Sequence, residues 1–245
     1  MDLGATACCD SAHKTLPVLT GGAYLHLSKD ADPAYVARTR SLLSLFASTS
    51  PSYLILQSLD LCNRYLSEGY AERLARCIQR ITKTKERLCA MGIPMLPCEP
   101  LKLVLTPRSI GYTGIALSAL LRKENIEAEF SDDTHLVLMV TPENREEDLE
   151  RLENFFAGLP KKEALPAPAL PVLKPHSAPL SLREAMLSPA QTVSVREAEG
   201  RICATPTVSC PPAIPIVISG ERITAEDVEL FAHYGLETVD VIIEE

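Results

Sequence analysis

Apolar residues return at three- and four-residue steps through Leu59, Cys62, Leu66, Tyr70, Leu74, Cys77, Ile81 and Leu88. That spacing predicts a long helical stretch with one buried stripe. Charged residues from Glu68 to Lys85 fill the remaining positions, Gly69 is a point of interruption, and Gly92 and Pro94 stop the run. Upstream, Asp32 followed by Pro33 marks a helix that continues to Phe46, because proline fits a first turn whose N–H needs no partner. The same reading makes Ser50 the cap of the next helix, with Pro51 at its first position. Residues 23–27 (AYLHL) predict a buried strand.

Beyond residue 92 the pattern shortens. Residues 101–105 (LKLVL), 126–130 and 135–141 (HLVLMVT) read as strands, and Gly111-Tyr112-Thr113-Gly114 opens a helix. Residues 142–156 form a helix whose early Glu143, Glu146, Glu147 and Asp148 suit its positive end. The order β-α-β-β-α predicts a small α+β layer on an antiparallel or mixed sheet. Residues 161–180 are proline-rich and extended, a stiff tether. The last part opens on a helix capped by Ser181 with Glu184, and a second helix follows Thr224 with Asp227. Residues 193–198, 211–218 and 239–243 read as strands or loops. The expected domains are therefore 1–92, with its long bridging helix, 93–160 and 181–245, joined through the 161–180 linker.

Composition narrows the function classes. At 46% hydrophobic and 23% charged, the 245 residues can bury an ordinary globular core. A net charge of −8 argues against nucleic acid as a partner, since phosphates need a basic surface. With no tryptophan and 5% aromatics, a stacking platform for single strands is not expected. The eight cysteines form no CxxC pair and no Cys/His metal spacing, so no metal is expected and they read as free thiols of a reducing cytoplasm. No apolar run is long enough for a membrane span, and no secretory signal is visible.

The candidate chemistry begins at Ser11-Ala12-His13-Lys14. A lysine amine that can shed its proton bonds to carbonyl carbons, and a neighbouring hydroxyl and imidazole can hold an anionic phosphate and position a ring. Four residues do not prove this, and a plain surface lysine after a histidine is the commoner meaning of such a tetrapeptide. His26, on its strand, reads as a core histidine, and Cys8 and Cys9 read as buried inert thiols.

The wider context carries more. The run DSAHKTLPVLTGGAYLHL (10–27), then Ser50-Pro51-Ser52-Tyr53 and Ser58-Leu59-Asp60, resembles the ornithine/lysine/arginine decarboxylases built on the aspartate-aminotransferase fold. The likeness continues in Gly111-Tyr112-Thr113-Gly114, IEAEFSD (126–132) and Glu197-Ala198-Glu199-Gly200-Arg201. It ends in Pro211-Pro212-Ala213-Ile214-Pro215 and Gly220-Glu221, in order over nearly the whole chain. The resemblance implies an α/β and α+β chain: the remnant of the large domain of a pyridoxal-phosphate-dependent transferase, a small α+β domain, and a C-terminal decarboxylase domain. It implies that Lys14 holds pyridoxal 5′-phosphate, that Ser11 helps to bind the cofactor phosphate, and that His13 lines the cofactor site. For Glu221 it suggests a place at the active-site entrance. Two departures stand out: Gly21 occupies a position that is often glutamine in the family, and Ser219-Gly220-Glu221 replaces Pro-Gly-Glu.

The implied reaction is decarboxylation of ornithine, lysine or arginine to an amine and CO2, in the chemistry of polyamine metabolism, by a homodimer or higher homo-oligomer. Only thirteen residues precede Lys14, whereas the family carries a large segment there. The alternative is therefore a truncated, non-catalytic chain or an assembly subunit. An aminotransferase on the same fold is a third reading, disfavoured by the C-terminal motifs. Loss of that segment also predicts a large apolar face and open sheet edges.

Overall fold

The computed structural model describes residues 1, 3–169, 171–210 and 214–244, with backbone alone at 207, 209 and 210. Pro211-Pro212-Ala213 of the last motif therefore lies outside the described residues. The chain divides into two compact units, 1–163 and 164–245. It is a mixed α/β chain, as expected from the sequence.

In the first unit, strands β1 (Ala7–Asp10) and β2 (Tyr24–Leu27) form an antiparallel pair in which Cys8 faces His26. Helix α1 (Pro33–Phe46) starts as expected, with the Asp32 carboxylate accepting the Ala34 N–H at 2.8 Å. Helix α2 (Tyr53–Ser67) starts later than expected. The Ser50 N–H turns back to the Ser48 hydroxyl, and it is Ser52 that caps the first turn. Gly69, at φ +73°, breaks the path between α2 and helix α3 (Tyr70–Ala90).

The predicted apolar stripe is found in α3, where Cys77, Ile81 and Leu88 are fully buried. They pack into the same core as Leu103, Leu105, Leu117, Leu121 and Leu136, so the long helix is built into the layer that follows it. That layer comprises β3 (Met95–Leu96), β4 (Lys102–Leu105), α4 (Gly114–Lys123), β5 (Phe130–Ser131), β6 (Leu136–Met139) and α5 (Glu146–Gly158). Its sheet runs β3-β4-β6-β5 and is antiparallel throughout.

The strand expected at 126–130 shrinks to Phe130–Ser131, because the Ile126 N–H closes α4 on the Leu121 carbonyl. Helix α5 starts at Glu146 rather than 142, because Asn144 Oδ1 takes the Thr141 N–H in a turn. The Asp148 carboxylate then accepts the Arg145 N–H at 2.9 Å.

In the second unit, α6 (Leu182–Leu187) and α7 (Ala225–His233) both start on the expected capping boxes, Ser181 with Glu184 and Thr224 with Asp227. Strand β7 (Ala190–Ser194) pairs with β10 (Thr238–Ile242), and β8 (Thr207–Cys210) pairs with β9 (Ile214–Ile218), both antiparallel. Strand β8 had no clear signal in the sequence. Phe231, Ile223, Val217, Val241 and Cys203 form the core. Burial there pushes the Cys203 thiol up to about 11. Among the described residues no helix is long and apolar enough to cross a membrane.

Candidate functional site

The Ser11–Lys14 segment leaves β1 and coils into one 3-10 turn, Ala12–Lys14, before the chain returns as β2. Ala12 is the buried plug of this turn, and the Lys14 N–H closes it on the Ser11 carbonyl at 3.1 Å. His13 is fixed twice by one acceptor: its backbone N–H and its ring Nδ1 meet the Gly22 carbonyl at 3.3 and 3.0 Å. A carbonyl only accepts, so Nδ1 is the donor in this contact.

The return loop makes this possible. Gly21 sits at φ +96°, a conformation open to glycine, so the departure from the family's glutamine coincides with a turn glycine favours. At Gly22 a Cβ would come within 2.3 Å of Val18 Cγ1, so only a bare Cα fits there without displacement.

The Ser11 and Lys14 side chains are exposed, and the Ser11 hydroxyl makes no capping bond to the turn. Among the described residues the Ser11 hydroxyl and the Lys14 amine have no partner, and such a pair three residues apart can serve a phosphate oxygen and a carbonyl carbon. The turn therefore suits the cofactor that the resemblance implies, on the side of the site this chain carries.

Helix α2 anchors the hairpin, in part through Ser58 and Leu59 of the Ser58-Leu59-Asp60 motif. The Tyr24 hydroxyl donates to the Leu59 carbonyl at 2.8 Å, with Asn63 Oδ1 at 3.2 Å, and the Leu19 N–H donates to the Ser58 hydroxyl at 3.1 Å. Burial, with the Cys62 thiol adjacent, pushes the Tyr24 phenol up to about 12, so it remains a donor. A tyrosine at a strand start has no sequence mark that would reveal this contact.

Three expectations around the hairpin are corrected. Strand β2 is exposed or half-buried along its length, since among the described residues its sheet has two strands. His26 is accordingly no core residue: its side chain is 49% exposed and its Nε2 meets Asp10 Oδ2 at 3.1 Å. Cys9 is exposed and Cys8 half-buried. The Cys8 thiol donates to Asp10 Oδ1, and that bond raises its pKa, so it stays protonated and is a poor nucleophile.

Glu221 belongs to the second unit and Lys14 to the first, so no single unit brings the two together. Its carboxylate is no free turn group: Oε2 accepts the Ile218 N–H at 2.9 Å and lies 3.6 Å from His176 Nδ1.

The apolar surface of the first unit is uneven. Helix α1 buries no residue at all, and Leu45, Phe46, Tyr53 and Leu54 are 67–85% exposed. Exposed apolar side chains gathered in this way are a common mark of a surface that contacts another polypeptide.

The family described as Orn/Lys/Arg decarboxylase, major domain, matches residues 4–101, and its C-terminal domain matches residues 161–237. An arginine decarboxylase of Bacillus subtilis is 30% identical over 251 residues, covering 93% of this chain and 50% of that protein. The protein YaaO of the same organism is 28% identical over 242 residues, covering 94% and 50%. Among solved structures, the constitutive lysine decarboxylase of E. coli superposes with a TM-score of 0.76 at 13% identity, covering 97% of this chain and 49% of that one. The Francisella novicida lysine decarboxylase LdcF gives 0.72 at 14% identity, covering 96% and 48%. These two likenesses speak to the fold. The chain spans about half the length of the relatives it matches.

Proposed function

This chain belongs to the Orn/Lys/Arg decarboxylase family, and from that premise we propose that it supplies the cofactor-lysine half of an enzyme that converts a basic amino acid to its amine and CO2. One observation carries the proposal. Lys14 lies inside the major-domain match, at the exposed end of a turn whose hydroxyl makes no capping bond and whose histidine is held by the Gly22 carbonyl.

In this reading Lys14 Nζ holds pyridoxal 5′-phosphate covalently, and Ser11 Oγ donates to its phosphate. His13, pinned by Gly22, lines the site with a fixed ring. When bound, the cofactor's protonated ring accepts the electron pair released as the substrate carboxylate departs. The Lys14 amine would also be the group on this segment able to hold and deliver a proton. Ornithine, lysine and arginine all place a cation at the far end of the substrate, so an acidic group such as Glu221 fits the substrate entrance. The chain is placed in the cytoplasm, in polyamine metabolism, as part of a homodimer or higher homo-oligomer. Its proposed parts are a large-domain portion 1–92, a small domain 93–160, a linker 161–180 and a C-terminal domain 181–245.

The exposed apolar face of α1 and the start of α2 supports a large domain that further polypeptide completes. It equally supports a second reading, in which this chain by itself is a non-catalytic assembly subunit. The test is amine and CO2 release from each of the three amino acids. It is run on the chain alone and on the chain combined with a polypeptide supplying the rest of the major domain. Release by the combination, lost in Lys14→Ala, is expected. Release that survives Lys14→Ala would sink the proposal, and none from any combination would leave the subunit reading.

A further inference from the structure

The C-terminal unit holds a histidine that the proposed chemistry does not use. His176 lies in the proline-rich segment, yet its side chain is only 8% exposed. Its Nε2 meets both oxygens of Asp227 at 2.9 and 2.8 Å, and its Nδ1 faces Glu221 Oε2 at 3.6 Å. The two carboxylates come from different elements. Asp227 is on the first turn of α7 and itself caps the Thr224 N–H and hydroxyl, while Glu221 sits in the turn after β9. Next to this cluster the Arg222 N–H donates to the Ser177 carbonyl at 2.9 Å, and Lys174 pairs with Glu226 at 2.7 Å. Residues 174–177 are thus strapped to the globular part of the unit through three separate points.

We propose that His176 is a proton-dependent clasp that fastens the linker to the C-terminal unit. The chemistry follows from the two-sided placement. Only an imidazolium has an N–H on each nitrogen and a charge to set against two carboxylates. A neutral ring turns one lone pair toward a carboxylate and leaves the buried Asp227 and the half-buried Glu221 facing an uncharged group. The remaining charges nearby do not replace it. Lys174 is committed to Glu226, and the Arg222 guanidinium is turned to the Gly200 carbonyl and Glu244. Because both contacts need the imidazolium, the clasp closes on the acidic side and opens on the basic side. Opening lengthens the free tether past residue 173, and closing shortens it.

The test is residue-resolved amide hydrogen exchange on the full chain, expressed as protection relative to intrinsic rates at each pH. The Arg222 amide reports the strap, because its acceptor is Ser177. The neighbouring Ile223 amide, bonded to Arg201, reports whether the unit itself is folded. Protection at Arg222 is expected to fall about tenfold, the equivalent of ~1.4 kcal/mol, from pH 5.5 to pH 8, with Ile223 unchanged. In His176→Gln it is expected to be low and flat with pH while Ile223 stays protected. Equal Arg222 protection at both pH values in the natural chain would overturn the proposal. So would wild-type protection in His176→Gln. Should the variant lose Ile223 protection as well, the natural chain's pH series alone decides.

Discussion

Two glycines in the first unit are expected to behave in opposite ways. Gly114 begins α4, and a Cβ there would lie 1.8 Å from the His135 carbonyl oxygen and 2.5 Å from that of Asp132. Both obstacles are backbone in the turn between β5 and β6, so no side chain can rotate away. Gly114→Ala must push the helix off the turn, straining or breaking the Ile115 to Asp132 bond at 3.0 Å and the longer Gly114 to Asp133 bond at 3.4 Å. Overpacking of this kind costs about 1–3 kcal/mol, and two backbone bonds add about 1 kcal/mol each. The expected loss is therefore roughly 3–5 kcal/mol. Gly158 is the last residue of α5, lies outside the positive-φ region and has open space where its Cβ would go. Gly158→Ala is expected to be neutral or to gain up to about 1 kcal/mol through the unfolded chain. Opening free energies from amide exchange at Leu117, whose N–H is bonded to Thr113 within α4, measure the first change without interference from the other unit. A Gly114→Ala protein within about 1 kcal/mol of the natural chain would refute the packing argument.

Two further outcomes follow from the groups already described. Tyr24→Phe removes the bond to the Leu59 carbonyl and is expected to cost about 1 kcal/mol, seen as faster exchange of the hairpin amides with α2 unchanged. The Asp148 carboxylate is held below its ordinary range, chiefly by the Arg145 N–H. Its folded pKa is depressed, so its contribution is present above the unfolded value near 3.9 and disappears as pH falls through the lower folded value. Protection of the first α5 amides is accordingly expected to be constant from pH 7 to about 5 and to fall in more acidic solution. In Asp148→Asn that acid-dependent step should be absent.

The sequence was most informative where local chemistry decides the outcome. Asp32-Pro33, Ser181 with Glu184 and Thr224 with Asp227 each cap a helix where expected, because a side-chain oxygen and the orphan N–H groups it satisfies lie within one turn. The stripe of α3 was readable for the same reason: its periodicity is a property of the helix itself. What failed depended on distant partners. Strand β2 has the pattern of a buried strand, yet burial needs a covering layer, and among the described residues β1 is the only strand beside it. His26 and Cys9 were misplaced along with it. The Ser52 cap was missed because Ser50 and Ser52 are equally good caps by residue type, and the Ser48 hydroxyl makes the choice. At the candidate site, the resemblance singled out Ser11, His13 and Lys14, and the structure adds the reason His13 is fixed. That reason is the Gly22 carbonyl nine residues away, delivered by a turn at Gly21 that no local rule connects to His13. For Glu221 the resemblance suggests only a place at the active-site entrance; its contact with His176 is not legible locally, because His176 lies 45 residues upstream in a stretch whose prolines read as a tether.

The most direct test of the account is where the cofactor attaches. The protein is mixed with pyridoxal 5′-phosphate, treated with borohydride to fix any lysine adduct as a stable secondary amine, digested and mapped. The account expects one label per chain on the peptide containing Lys14, abolished in Lys14→Ala and strengthened when the rest of the major domain is supplied. Labelling scattered over surface lysines, with Lys14→Ala taking up as much as the natural chain even in the completed domain, would contradict it.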